Sequence, residues 1–210
     1  MRALGLCDYQ TTWRAMQAFT AGRTAATPDE LWWLEHPAVY TLGRAGRPEH
    51  LLDPGATPVI HSDRGGQVTW HGPGQLVVYP LLDLARLGIG VKALVGLLEE
   101  AVLALLAGLG LEGQRREGAP GVYVGERKIA SFGLRVCRHC TYHGLSLNVN
   151  NDLAPFARIN PCGYPGLEVT SLARLGIPWT PPQAAPALLG QLQRRLFILD
   201  SSVGVFVEAP

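Results

Sequence analysis

Lysine is nearly absent from this 210-residue sequence: Lys92 and Lys128 stand against sixteen arginines. Charge of either sign is sparse, with 17% of residues charged and a formal net charge of +1. No whole-chain field therefore selects nucleic acid or an anionic membrane. Long apolar runs are missing too. The longest, Ala101–Leu111, falls well short of the ~20 residues of a membrane span. The stretch Met1–Cys7 is shorter than the roughly 7–15 apolar residues of a signal-peptide core. A cytoplasmic chain that makes no use of a membrane is expected. Four cysteines (Cys7, Cys137, Cys140, Cys162) are an even count that allows two disulfides, but a chain of this length does not need such staples. What is present in quantity is apolar residue, 47% of the chain, enough for a sizeable core and incompatible with global disorder.

The pattern predicts α+β architecture, a mixed β-sheet flanked by helices. Asp8 and Thr11 are placed to cap a helix to about Arg23, with Trp13, Met16 and Phe19 as its apolar stripe. Leu31–Glu35, Val39–Leu42, Pro58–His61, Gln67–Trp70 and Leu76–Tyr79 read as short strands. Val91–Leu109 is the longest helical pattern, stopped by Gly108 or Gly110. Val122–Val124 and Lys128–Val136 form a hairpin signal around Gly125-Glu126-Arg127, and Tyr142–Val149 is a further strand. Asp152–Ala157 and Thr170–Leu175 read as short helices, and Leu188–Leu199 as a terminal one. Pro178–Pro186 carries four of the sixteen prolines and reads as a connector. The expected organisation is a catalytic domain over 1–177 and a Pro-rich connector with a C-terminal helix over 178–210, packed on the same domain.

Cys162 lies in Asn160-Pro161-Cys162-Gly163-Tyr164-Pro165-Gly166, where prolines fix the chain path and glycines allow another molecule to approach. That context presents a nucleophile or merely fills a loop; the residues alone leave both open. Lys128 opens a strand-like segment. It reads as a solvated strand end or, in a chain that uses arginine for solvated charge, as an amine kept for its ability to lose a proton. In Asp63-Arg64-Gly65-Gly66-Gln67-Val68-Thr69-Trp70-His71-Gly72-Pro73-Gly74-Gln75 two glycine turns bracket one strand, with backbone N–H groups free to face a ligand. His71 reads as a polar turn residue or a ligand contact. No G-x-x-x-x-G-K-[ST] pattern occurs and Gly72-Pro73-Gly74 lacks the third glycine of a dinucleotide fingerprint, so no motif asks for a nucleotide. Cys137-Arg138-His139-Cys140 with His143 lacks the second ligand pair of a structural zinc site, and positions three apart on one extended strand face opposite sides. A strand-turn cysteine pair is expected and no metal.

Five segments in order, Arg64–Gln75, Ala119–Tyr123, Lys128–Gly133, His143–Val149 and Ile159–Gly163, closely resemble the lipoate–protein ligase B family, octanoyl-[acyl-carrier-protein]–protein octanoyltransferases. The resemblance runs from about Asp8 to Leu172. It implies the fold shared by biotin and lipoate protein ligases, with Cys162 as the acyl-thioester nucleophile and Lys128 as its partner. It implies an acyl pocket from Arg64, Gly65, Gly66, Gln67, Val68, Thr69, Trp70 and His71, then Ser131, Phe132 and Gly133, then Gly144, Leu145 and Ser146. It implies acyl carrier protein as donor and, as acceptors, lipoyl domains of 2-oxoacid dehydrogenase E2 subunits and the glycine cleavage H protein. No cofactor is implied, and a monomer is expected. Trp70 stands where the family commonly has tyrosine, and Phe132 where a smaller aliphatic is common; both are expected to trim the pocket. The rival readings are an ATP-dependent lipoate or biotin ligase, a carrier-binding module with an inert cysteine, and a cysteine amidase using His71 as base.

Overall fold

In a computed structural model the structure describes residues 1–200, with side chains to Leu196. The strands are β1 (Arg2–Leu6), β2 (Glu30–Glu35), β3 (Val39–Leu42), β4 (Val59–His61), β5 (Val68–His71), β6 (Gln75–Leu81), β7 (Gly113–Gln114), β8 (Val122–Val124), β9 (Arg127–Cys137) and β10 (Cys140–Asn148). The helices are α1 (Tyr9–Ala21), α2 (Val91–Gly108) and α3 (Pro181–Asp200). Seven strands form one sheet in the order β1-β2-β6-β10-β9-β8-β7, and three form a second in the order β4-β3-β5. Pairing is mixed: β1 with β2 and β3 with β4 are parallel, the rest antiparallel. The α+β expectation holds.

The central strand β6, Gln75-Leu76-Val77-Val78-Tyr79-Pro80-Leu81, is buried throughout because both faces are covered, which is why it reads as a continuous apolar run. Leu76 and Val78 pack with α2 and α3 residues such as Leu98, Leu106, Leu188 and Leu192. Val77, Tyr79 and Leu81 pack on the opposite face with Met16 of α1. The Asp8 carboxylate caps α1 by accepting from Thr11 N–H at 2.8 Å, as its sequence position indicated. The stripe is not as expected, however. Tyr9, Thr12, Met16 and Thr20 are its buried residues, while Trp13 and Phe19 pack half-buried at the margin.

Three further readings are corrected. Residues 181–186, expected to be a connector, are the first turns of α3. Thr180 and Gln183 make one arm of a capping box, Thr180 N–H donating to Gln183 Oε1 at 2.8 Å. Pro181 and Pro182 occupy positions whose N–H groups would have no helical partner anyway. Ala184, Ala185, Leu188 and Leu192 of this helix are fully buried in the main core. Strand β1 was missed because it sits at the sheet edge, mostly exposed, with no alternating pattern to betray it. Thr170–Leu175 is helical only as a 3₁₀ turn at Ala173–Leu175. Residues 201–210 of the expected C-terminal part lie outside the described residues. Among the described residues no helix is long and apolar enough to cross a membrane.

Candidate active site

The small sheet and the large one face each other across a slot. Along β5, Val68 and Trp70 turn outward into a cluster with Phe156 and Ile159, so the alternate residues Thr69 and His71, with Gln67 before them, line the slot. Val77 and Tyr79 of β6, Ser131, Phe132 and Gly133 of β9, and His143, Gly144, Leu145 and Ser146 of β10 form the other wall. About 470 Å³ lies between the walls and at the mouth. Of the residues singled out in the sequence, Arg64, Gly66 and Val68 also reach the slot, as does Cys162. Gly65 and Trp70 do not line it. Gly65 pairs with Leu134 through its N–H, and the Trp70 indole stacks edge-on against Phe156, ring centroids 5.6 Å apart.

At the mouth, Lys128 Nζ lies 3.0 Å from Cys162 Sγ. Cys162 sits in a 3₁₀ turn, Pro161–Gly163, with φ +56° followed by Gly163 at +81°. A left-handed backbone at a non-glycine residue costs of order 1–3 kcal/mol, and here it turns the thiol towards the amine. Lys128 is 2% exposed. Its Nζ also donates to Pro120 O at 2.7 Å and stands 5.4 Å from the centre of the Tyr123 ring. No carboxylate pairs with it among the described residues. A buried ammonium without a carboxylate is expensive, and the Cys162 sulfur and the Pro120 carbonyl are the polar partners its nitrogen has here. The backbone fixes the meeting. Lys128 N–H donates to Glu168 O and Thr170 N–H donates to Lys128 O, both at 2.9 Å, so the start of β9 is stapled to the segment just beyond the Cys162 loop. Gly121 (φ +143°) crosses over the lysine so closely that a Cβ there would stand 2.6 Å from Lys128 Cε.

Arg64 is buried, and its donors are spent on the walls. Nε bonds Thr41 Oγ1 at 2.9 Å, Nη1 bonds Gly65 O at 2.9 Å, and Nη2 bonds Thr41 O and Gln67 O. Burial pulls its pKa down, with the nearby Tyr9 and Cys162 pulling it back up. The guanidinium thus ties β3 to the glycine turn before β5 and sets the slot's width. Gly133 passes so close to this turn that a Cβ there would meet Gly65 O at 2.8 Å.

The inner end of the slot is aromatic and polar. Tyr9 lies nearly parallel to His71 (centroids 5.9 Å, 15° between planes) and to His143 (6.3 Å, 17°). Burial depresses His71 to a pKa of about 3 and His36 to about 4. His143 also falls, burial outweighing the Asp63 carboxylate at 2.9 Å. Asp63 itself is pulled up by burial, but hydrogen bonds from His143 and Tyr142 prevail and hold it at about 2. His143 has φ +59° in mid-strand, a second strained residue at this site. An imidazole that burial holds at about 3 is a poor general base, which counts against an amidase.

The chain matches the lipoyl protein ligase A/B catalytic domain over residues 8–193. The chain belongs to that family. An octanoyltransferase of Laribacter hongkongensis is 60% identical over 196 residues, covering 93% of this chain and 95% of that one. One of Halorhodospira halophila is 64% identical over 176 residues, covering 84% and 81%. With such relatives this family member is an acyltransferase. The fold is shared with a lipoate-protein ligase A bound with ATP (TM-score 0.76, 15% identity, 93% and 85% coverage). It is shared also with a biotin protein ligase of Aquifex aeolicus in complex with biotin and ATP (0.58, 14%, 95% and 71%).

Within this family member, the sequence reading missed Tyr9, Val77, Tyr79 and His143 of the slot lining, and His36 behind Tyr79. Nothing local marks them: Tyr9 opens a helix 62 residues before His71 in a chain where both look like surface-turn residues. Gly121 and Pro120 were read only as part of a motif, their contact with Lys128 invisible without the fold. Cys137 and Cys140 also stand otherwise than expected. Arg138 and His139 take positive φ (48° and 65°) in a two-residue hairpin turn, which makes the cysteines cross-strand partners on one face rather than opposite ones. All four cysteines are free thiols.

Proposed function

We propose that the protein moves an octanoyl (or lipoyl) group from acyl carrier protein to a lysine of lipoyl domains, those of 2-oxoacid dehydrogenase E2 subunits and the glycine cleavage H protein, through an acyl-Cys162 thioester, the opening step of endogenous protein lipoylation. The observation that carries this is the 3.0 Å contact between Lys128 Nζ and Cys162 Sγ at the mouth of a slot with apolar walls. In the first half-reaction the Cys162 proton passes to Nζ and the sulfur attacks the donor thioester. The C–S bond to the carrier breaks, and Nζ returns the proton to the departing thiol. In the second, the acceptor amine attacks the acyl-sulfur bond, gives its proton to Nζ, and Cys162 leaves as the thiol. An amide is more stable than a thioester, so the sequence needs no nucleotide.

Making more thiolate is not the main gain, because nucleophilicity falls as basicity falls, with a Brønsted slope of about 0.4–0.5. Positioned proton transfer is worth about 10²–10⁴, and this is the role assigned to Lys128. Val77, Leu145 and Phe132 offer apolar contact to the acyl tail at about 0.8 kcal/mol per buried methylene. The carrier would approach the loop that bears the exposed Arg44 and Arg47, which is tied to the mouth by Arg47 N–H donating to Gln67 Oε1 at 2.7 Å. The proposed setting is a monomer in the reducing cytoplasm, where a nucleophilic thiol persists.

Intact-mass spectrometry tests the reading. Exposure to octanoyl-carrier without nucleotide should leave one octanoyl adduct on Cys162, absent in Cys162→Ser, and discharged when a lipoyl domain is added. Acylation of the acceptor only in the presence of ATP, with no adduct, would put the chain among the nucleotide-dependent ligases instead.

A further inference from the structure

The inner end of the slot has a definite hydrogen-bond polarity, and it can be worked out from backbone carbonyls, which only accept. Asn148 Nδ2 donates to Thr170 O at 3.0 Å, which turns Asn148 Oδ1 towards Gln75. Gln75 Nε2 donates to that oxygen at 2.9 Å and to Trp70 O at 3.2 Å, which turns Gln75 Oε1 towards His71. His71 Nδ1, 2.7 Å from Oε1, must therefore carry the ring's proton. Its Nε2 is bare, and His71 lines the slot. The same logic runs through the neighbours. His36 Nδ1 faces Cys7 O at 2.6 Å and so carries the proton, which leaves His36 Nε2 to accept from Tyr79 O–H at 2.7 Å. Tyr9 O–H donates to Ser62 Oγ at 2.9 Å. His143 Nε2 faces the Asp63 carboxylate and is protonated, while its Nδ1 is buried with no partner.

The ring and phenol protons at this end are thus committed to protein acceptors, and His71 Nε2 is left as a bare acceptor on the slot wall. An entirely apolar chain leaves that nitrogen unpaired, and a chain that ends in a donor does not. The slot's length suits this. A tail entering beside Cys162 passes Gln67, whose Cγ stands 3.4 Å from a Cβ built on Gly163. It then passes Thr69 and reaches His71 about 13 Å further along β5.

We propose that the inner end of the slot is a subsite for a hydrogen-bond donor, so that the protein accepts medium-length acyl chains bearing a hydroxyl or thiol at their far end. This rests on the acyl-transfer reading of Cys162 and deepens it. His71 Nε2 is the group that receives the donor, and Gln75 is a positioning residue that holds its tautomer.

The test compares the rates at which pantetheine thioesters of octanoyl, nonanoyl and 8-hydroxyoctanoyl groups acylate Cys162, followed by intact mass. The last two chains have the same number of heavy atoms and differ in the terminal group. The expected result is that 8-hydroxyoctanoyl exceeds nonanoyl in kcat/KM by about tenfold or more, and that His71→Phe inverts the order. Should His71→Phe not fold, Gln75→Leu, which frees the tautomer, should erase the preference. The ¹⁵N spectrum of wild-type His71 supplies an independent readout and should show a protonated Nδ1 and a bare Nε2. Equal or better use of nonanoyl by the wild type, or a protonated Nε2, overturns the proposal while leaving acyl transfer standing. Failure of all three thioesters to acylate Cys162 overturns acyl transfer and the subsite with it.

Discussion

Replacing Lys128 with methionine separates the two roles a buried amine can have. Methionine is close to the lysine stem in volume, so packing beneath Gly121 and Tyr123 is kept. Pro120 O loses its donor at 2.7 Å, at a cost of about 1–3 kcal/mol. The contact with the Tyr123 face at 5.4 Å is lost as well, at about 0.5–2 kcal/mol. Against these stands release from holding an amine in a site with no carboxylate, a desolvation penalty of several kcal/mol when it is charged. The terms nearly cancel, so the urea midpoint should move little in either direction. Catalysis has no such compensation. Removing the proton carrier should slow both acylation of Cys162 and transfer from it by about 10²–10⁴, roughly 3–5 kcal/mol of barrier. Rapid-quench intact-mass measurements of each half-reaction, beside equilibrium unfolding, give the comparison. Lys128→Arg supplies the control for charge alone. A guanidinium keeps a cation but cannot give up its proton, and both steps should again slow by more than tenfold. Half-reactions within a few-fold of wild type in either variant would refute the proton-carrier role.

Acid should destabilise the fold earlier than carboxylate loss would. His36 and His71 are held near 4 and 3, below their ordinary value of about 6.5. The unfolded chain binds protons that the folded one refuses, and stability present above pH 6.5 falls as pH drops towards 4. Each histidine contributes up to about 1.4 kcal/mol per pH unit in that window. Asp63, held near 2, keeps its contribution until pH falls below its ordinary value of 3.8. Urea midpoints measured from neutral pH downward should show this slope, and His36→Gln should flatten it; a level wild-type profile would contradict the assignment. Gly121→Ala places a methyl 2.6 Å from Lys128 Cε and 2.9 Å from Ala130 O at φ +143°. It should cost about 1–3 kcal/mol of stability and lower kcat more than it raises KM. Trp70→Phe should leave the acyl-chain-length profile unchanged because Trp70 turns away from the slot. Phe132→Leu should shift that profile by a carbon or two, with discrimination of about 1–3 kcal/mol per methylene, read from a ladder of thioester donors.

The sequence made legible what is local. The cap at Asp8, the apolar period of α2 and the loop chemistry around Cys162 follow from short-range rules. So does the scarcity of lysine that singled out Lys128. What stayed hidden depends on which segments meet. Trp70 was expected to trim the pocket because it lies inside a pocket motif, yet alternation along β5 sends it to the other face. The proline cluster was read as a linker because the Thr180–Gln183 cap was overlooked. Tyr9, His36 and His143 converge from α1, the end of β2 and the middle of β10, and no spacing rule connects them. Arg64 was visible as a residue but not as a brace, since its partners are backbone carbonyls that a sequence does not display.

The pairing of Lys128 with residues 168–170 has a bearing on how the protein is made. The amine beside Cys162 sits at the start of β9, and the backbone there is stapled to residues 168–170, which follow the cysteine in the chain. During synthesis the staple that holds Lys128 beside Cys162 therefore forms only after residues beyond the cysteine have emerged. A truncation product that ends before Glu168 keeps the cysteine but lacks both backbone bonds that hold the lysine in register with it.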